Sequence, residues 1–289
     1  MKTLRINFLP AIALVALLFG AVACNEDSIE ASLSDSEYSI AEEELAISEF
    51  EHAAGHHADF MMAKELRGPA CDDWKTKLPE CATVTESGDD FPKTTVIEFG
   101  DDCQDKHGRT RTGKVVIVQT DNMKNIGAKR TVTFEHFGMN ERTIKGIKIL
   151  ENSGENLNGN LVFKRTVTIN GSGEKGNFER VSENEIEWLQ GFDTEDCYDN
   201  IISISGSSTS YKDEEEMGSR TILKPIIRDF ECEHPLSGTV EMDGKRGAAT
   251  IDFGDGACDQ YATLTTNEGT KEIDLDKKRN RRKGKGNHH

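Results

Sequence analysis

Three histidines, His52, His56 and His57, stand beside Glu49, Asp59, Met61 and Met62 in one short stretch of the chain. His52 and His56 are four residues apart, so a helix would place them one turn apart on one face, the spacing at which two imidazoles share a divalent metal. Zn²⁺, Cu²⁺ or Ni²⁺ is the chemistry such a cluster would take, and an ordinary helix surface or interface is the plainer account. Residue 53 is Ala, where the two-histidine zinc motif carries the Glu that serves as general base, so metal-assisted hydrolysis is not expected. A second set, Asp252, Asp255 and Asp259, is echoed by Asp101, Asp102 and Asp105. Their oxygens suit Ca²⁺, yet they lack the spacing of an EF-hand loop, and turn-forming Asp-Gly chemistry beside a cysteine accounts for them as well. Residues Gly171 to Gly176 formally spell GxGxxG, but strand patterns flank them on both sides, whereas a dinucleotide site needs that loop to open a helix. They read as a hairpin turn. No nucleophile motif and no phosphate loop is present, so neither an enzyme nor a cofactor is expected.

Six cysteines besides Cys24 point to disulfides, and an internal repeat narrows their pairing. Cys81 runs through Thr95-Val96-Ile97-Glu98-Phe99-Gly100-Asp101-Asp102 to Cys103. Cys232 runs through Ala249-Thr250-Ile251-Asp252-Phe253-Gly254-Asp255-Gly256 to Cys258. Each copy ends a strand-like segment in [ED]-F-G-D-[DG] before its second cysteine. The parsimonious bonds are therefore Cys81 with Cys103 and Cys232 with Cys258, which leaves Cys71 with Cys197. An even set of cysteines in an exported chain favours such bonds over metal thiolates.

The elements that must carry these residues are mainly β. After Pro92, stretches such as Thr131-Val132-Thr133-Phe134 and Arg165-Thr166-Val167-Thr168-Ile169 alternate polar and apolar, and Gly- and Asn-rich turns separate them. That is the signature of antiparallel hairpins, about ten to twelve strands between residues 93 and 275. A meander of that length is expected to roll into a barrel-like or sandwich sheet to bury its apolar face. Before it, residues 39–68 read as one amphipathic helix: Ser39 and Glu42 form a capping box, Gly68-Pro69 ends it, and Ile40, Ile47, Phe50, Ala54, His57 and Met61 make one stripe. Phe134, Phe137, Trp188, Phe192, Tyr198 and Tyr211 are candidates for a glycan or peptide platform, or for the core.

Charge is unevenly placed. The chain has 52 acidic and 35 basic residues, a net charge of −17. Residues 277–289 carry seven Lys or Arg and no acid, and with no apolar residue they are expected to be disordered. A solvated terminus, contact with anionic polymer or with the acidic body, and nucleic-acid binding are the readings open for this tail. The acidic body itself would repel a phosphate backbone, so no nucleic-acid partner is expected for it.

The first residues give an address. Lys2 and Arg5 precede an apolar run that ends Ala21-Val22-Ala23-Cys24, too short to span a bilayer comfortably and suited to a cleaved export signal. It resembles the bacterial lipobox, which implies lipid attachment at Cys24, and Asn25-Glu26-Asp27 behind it resembles the surface-export signal of Bacteroidota lipoproteins. The division expected is a signal peptide at 1–23, an acidic tether at 24–38, the helix at 39–68, a disulfide-bonded β domain at 69–276 holding both repeat copies, and the tail. The lipobox, the acids after it, the repeated [ED]-F-G-D-[DG] and the Thr-Val-Thr strands together resemble uncharacterised β-rich lipoproteins of Bacteroidota. That resemblance implies location and fold class and brings no activity. The expectation is a lipid-anchored outer-membrane or cell-surface protein with a non-enzymatic binding or accessory-subunit role, its partner an envelope protein or a glycan. The alternative is an envelope protein that binds a metal or small solute through the helix histidines or a cavity in the sheet.

Overall fold

The structure is a computed structural model that describes residues 75, 78–88, 90–105, 108–173, 176–192, 194, 199–245 and 247–275. The expected signal peptide at 1–23, Cys24, the expected tether and the expected helix at 39–68 with His52, His56 and His57, together with Cys71, Cys197 and residues 277–289, lie outside the described residues.

Among the described residues thirteen strands follow one another: β1 (Ala82–Ser87), β2 (Lys93–Gln104), β3 (Thr110–Gln119), β4 (Lys129–Met139), β5 (Arg142–Glu155), β6 (Leu161–Gly173), β7 (Gly176–Gln190), β8 (Ile201–Lys212), β9 (Glu215–Asp229), β10 (Ser237–Gly244), β11 (Gly247–Asp255), β12 (Tyr261–Thr266) and β13 (Gly269–Asp274). They form one antiparallel sheet in sequence order from β1 to β13. Two-residue turns make some of the connections, as the pairings Met139 with Arg142 and Lys212 with Glu215 show. Such turns keep register tight, because the side chains of each strand must stay in phase with those of its neighbours.

Among the described residues the expected closure into a barrel or a second sheet is not found. β1 and β13 are the two edges of a single open sheet. Both are six residues long, against fifteen in β7 and β9. Glu86 on one, and Lys271 and Glu272 on the other, are the kind of charges that blunt an edge against further pairing. Closure would have required these two short strands to meet.

Alternation sorts the sheet into a buried and an exposed face. Three apolar clusters lie along the buried face. One joins Ile97, Phe99, Val115, Val132, Phe134, Phe137, Val167 and Ile169, another Leu150, Phe163, Ile186, Trp188 and Ile202, and the last Ile226, Val240, Met242, Ile251, Leu264 and Ile273. Apolar burial of this kind is the main favourable term in folding, roughly 25 cal/mol for each Å² removed from water.

The two faces also differ in charge. On β7, Arg180, Ser182, Asn184, Ile186 and Trp188 are buried, while Val181, Glu183 and Glu185 between them are exposed. Arg130 and Lys148 join Arg180 on the buried face, at 3%, 5% and 2% exposure. Register places them close together: Lys148 stands opposite Val132 and Val167, and Arg130 and Arg165 flank Leu150.

Both local disulfides form as the repeat implies, Cys81–Cys103 and Cys232–Cys258. The repeat is also a repeat of pairing, since Val84 faces Ile97 in one copy and Val240 faces Ile251 in the other.

Candidate functional site

A groove of about 520 Å³ opens at one end of the sheet, between β4 and the β8–β9 turn. Its floor includes a row in which Lys145, Asn170, Glu179 and Tyr211 stand opposite one another on four successive strands. Thr143 and Ser172 continue the next row outward, their hydroxyls 2.7 Å apart. Phe178 lies against Gly171, where an added Cβ would come within 2.1 Å of its ring. His136, Asp213 and Glu214 complete the rim. Amides, hydroxyls, carboxylates and a phenol ring thus converge on one open hollow whose volume falls in the range of ligand sites.

Backbone conformation marks the same place. Four non-glycine residues among those described have positive φ, and three of them, His136 (52°), Asp213 (51°) and Glu214 (68°), line this groove. The left-handed conformation costs an L-residue roughly 1–3 kcal/mol, and such residues cluster at functional sites. His136 is held there by a bulge where β3 and β4 lose register. Gly113 opposite it permits the close approach, since a Cβ at 113 would sit 2.1 Å from the His136 carbonyl oxygen. Asp213 and Glu214 form the two-residue turn between Lys212 and Glu215. Beside it the Lys245 ammonium, bonded to Glu215 at 2.6 Å, holds that carboxyl below the usual carboxylate range, first by the hydrogen bond and then by its charge.

Comparison with known proteins adds no relative. No family model matches the chain, and neither a curated protein nor a solved structure matches it. The site is therefore argued from its own geometry.

The aspartates considered for calcium do not converge. Asp252 accepts from the Thr239 hydroxyl at 3.0 Å and from the Gly254 amide at 2.9 Å, while Asp259 accepts from the Tyr261 amide. Asp255 is exposed at the end of β11. Asp105 pairs with the guanidinium groups of Arg109 and Arg111 at 2.7 and 3.2 Å. Among the described residues no three His, Cys, Asp or Glu side chains gather as a metal would need. Asp252 and Asp259 thus accept turn amides, and Asp105 is an ion-pair residue.

Of the aromatics, Phe134, Phe137 and Trp188 are core, Phe192 packs edge-on against Trp188, and Tyr211 lines the groove; Tyr198 lies outside the described residues. The GxGxxG stretch is a hairpin, with Gly173 paired to Gly176. Burial pushes the Arg111 guanidinium below its ordinary value, with the charge of Arg109 acting the same way and Asp105 opposing both. Its Nε and Nη1 have no hydrogen-bond partner, and its guanidinium lies 5.7 Å from the centre of the Phe137 ring.

Sequence reasoning missed the groove because its turn, Asp213-Glu214, carries neither Gly nor Asn. The signal that was present is the polar break between the alternating runs of β8 and β9.

Proposed function

We propose that the chain is a lipid-anchored outer-membrane or cell-surface protein with a non-enzymatic binding role, and that its ligand is a glycan. The anchor rests on the lipobox-like segment ending at Cys24 and the destination on the acids behind it. The binding role rests on one observation above the rest: three residues in a costly backbone conformation rim a groove whose floor is a cross-strand row of Lys145, Asn170, Glu179 and Tyr211. Rigid strands hold that row by register, which suits recognition of a preformed shape at little entropic cost. Planar amides and carboxylates match sugar hydroxyls, and an aromatic face offers an apolar surface beside a polar tip.

Glycan-array binding by the full chain and by Tyr211→Ala tests the reading. A defined set of glycans retained by the parent and lost by the variant, with an unchanged melting temperature, is expected. Equal binding by both, or no glycan retained by the parent, removes the groove as a glycan site. Radiolabelled palmitate incorporation that persists in Cys24→Ser would remove the anchor.

A further inference from the structure

Two Asn-Gly pairs occur in the chain, Asn158-Gly159 and Asn170-Gly171, and the fold treats them oppositely. Asn158 and Gly159 are both exposed, in the β5–β6 turn at the end of the sheet away from the groove. Gly159 has a φ of 80°, and a Cβ added there would meet nothing within 4 Å. The turn is tied at its flanks instead. Asn156 and Asn160 both donate their side-chain amides to Glu187 Oε1, at 2.7 and 2.8 Å, and Asn156 Oδ1 accepts from the Asn158 and Asn160 backbone amides. The Gly159 N–H donates to the Asn156 carbonyl at 3.0 Å. Asn170-Gly171 is the reverse case. It sits inside β6, where Gly171 is buried, paired with Ile144 on one side and Phe178 on the other, and packed against the Phe178 ring.

We infer that Asn158 is a site of spontaneous modification, at which the side-chain amide is lost as ammonia and water is taken up to leave a carboxylate. The Gly159 backbone nitrogen, giving up its proton, attacks Asn158 Cγ. The new N–Cγ bond closes a five-membered imide, and the Cγ–Nδ2 bond breaks to release ammonia. Water then opens the imide at either carbonyl, giving aspartate or, where the chain is rerouted through the side chain, isoaspartate. No oxidant or reductant takes part. The attack needs a following residue without a side chain and a backbone that can turn, both of which glycine supplies. It also needs a nitrogen that can leave its hydrogen bond. At an exposed turn that opening is nearly free, whereas a paired strand must open against part of the stability of the sheet. The fold thus directs the chemistry to Asn158 and shields Asn170, which keeps the groove floor intact. Each event adds one negative charge to a chain already at −17. The isoaspartyl product also lengthens the backbone between Asn156 and Asn160, the two residues that hold Glu187. The inference is independent of the glycan reading.

The test incubates the purified full chain at neutral pH and follows both sites by peptide mapping, with mass spectrometry that separates asparagine, aspartate and isoaspartate. In the folded protein, conversion at Asn158 is expected to run about tenfold faster or more than at Asn170, the mark of a site that needs no strand opening. In concentrated urea, where neither site is folded, the two rates should come together, because both are Asn-Gly. Equal rates in the folded protein, faster conversion at Asn170, or an Asn158 that stays intact overturns the inference. So does a preference of the same size that persists in urea, since sequence rather than fold would then set it. Asn158→Gln, whose longer side chain closes no five-membered ring, should abolish the modified peptide with an unchanged melting temperature. The same modification persisting in that variant would place it at another residue and overturn the assignment.

Discussion

The indole N–H of Trp188 donates to Asn200 Oδ1 at 2.8 Å, joining the end of β7 to the start of β8 in a wholly buried place. Around that bond the Trp188 ring meets Phe163, Phe192 and Phe230. Asn200→Ala takes this acceptor away from the buried indole N–H, which costs about 1–3 kcal/mol. Chemical denaturation should show a lower midpoint with an unchanged slope. An unchanged midpoint would mean that water replaces Asn200.

The Asp213-Glu214 turn should trade stability for binding. Changing it to Asn-Gly supplies the residues that a turn with two positive φ values prefers, and relief of two left-handed side chains should raise stability by about 1–2 kcal/mol. Because both side chains rim the groove, the same variant should bind glycan more weakly. A rise in melting temperature with full binding retained would assign the two residues a purely structural role.

Gly113→Ala is expected to be among the more damaging small substitutions on the sheet. It places a Cβ against the His136 backbone at a position whose φ is 76°. Overpacking together with a disfavoured conformation costs on the order of 2–4 kcal/mol. Gly127→Ala serves as the comparison, since its φ is 82° with nothing within 4 Å. A similar loss at both sites, read by thermal unfolding, would show that conformation rather than contact sets the cost.

Each local disulfide closes a loop of modest length, 22 and 26 residues apart in sequence. Cys81→Ser with Cys103→Ser, and Cys232→Ser with Cys258→Ser, should each lower stability by about 3 kcal/mol through the freedom returned to the unfolded chain. Their effects should add, because the two bonds staple different parts of the sheet. A double removal costing far less than the sum of the two would show that the repeats unfold as one.

Much of the sheet was legible before its geometry. Thr131 to Phe134 and Arg165 to Ile169 alternate as they pair, the bulge at His136 breaks the alternation before Phe137, and twelve strands lie between residues 93 and 275. β1 is harder to see, since Ala82–Ser87 is short and mostly exposed. The repeat led directly to Cys81–Cys103 and Cys232–Cys258, because a cysteine at each end of a matched strand pair leaves little choice of partner. The candidate site was not legible. Lys145, Asn170, Glu179 and Tyr211 are scattered polar positions in the sequence, and each strand had to take its register before they formed a row.

By itself the sequence determined what acts over a few residues: the strand period, the turns, the local disulfides, and the acidic and basic blocks. Each follows from backbone sterics, side-chain alternation or simple charge. Tertiary structure alone decided that the meander stays open, that the phase of β7 holding Arg180 turns inward while Glu183 and Glu185 turn out, and that His136 and Asp213 meet at one rim. Those outcomes depend on register accumulated over many strands, and a shift of one residue in any of them would have exchanged the two faces.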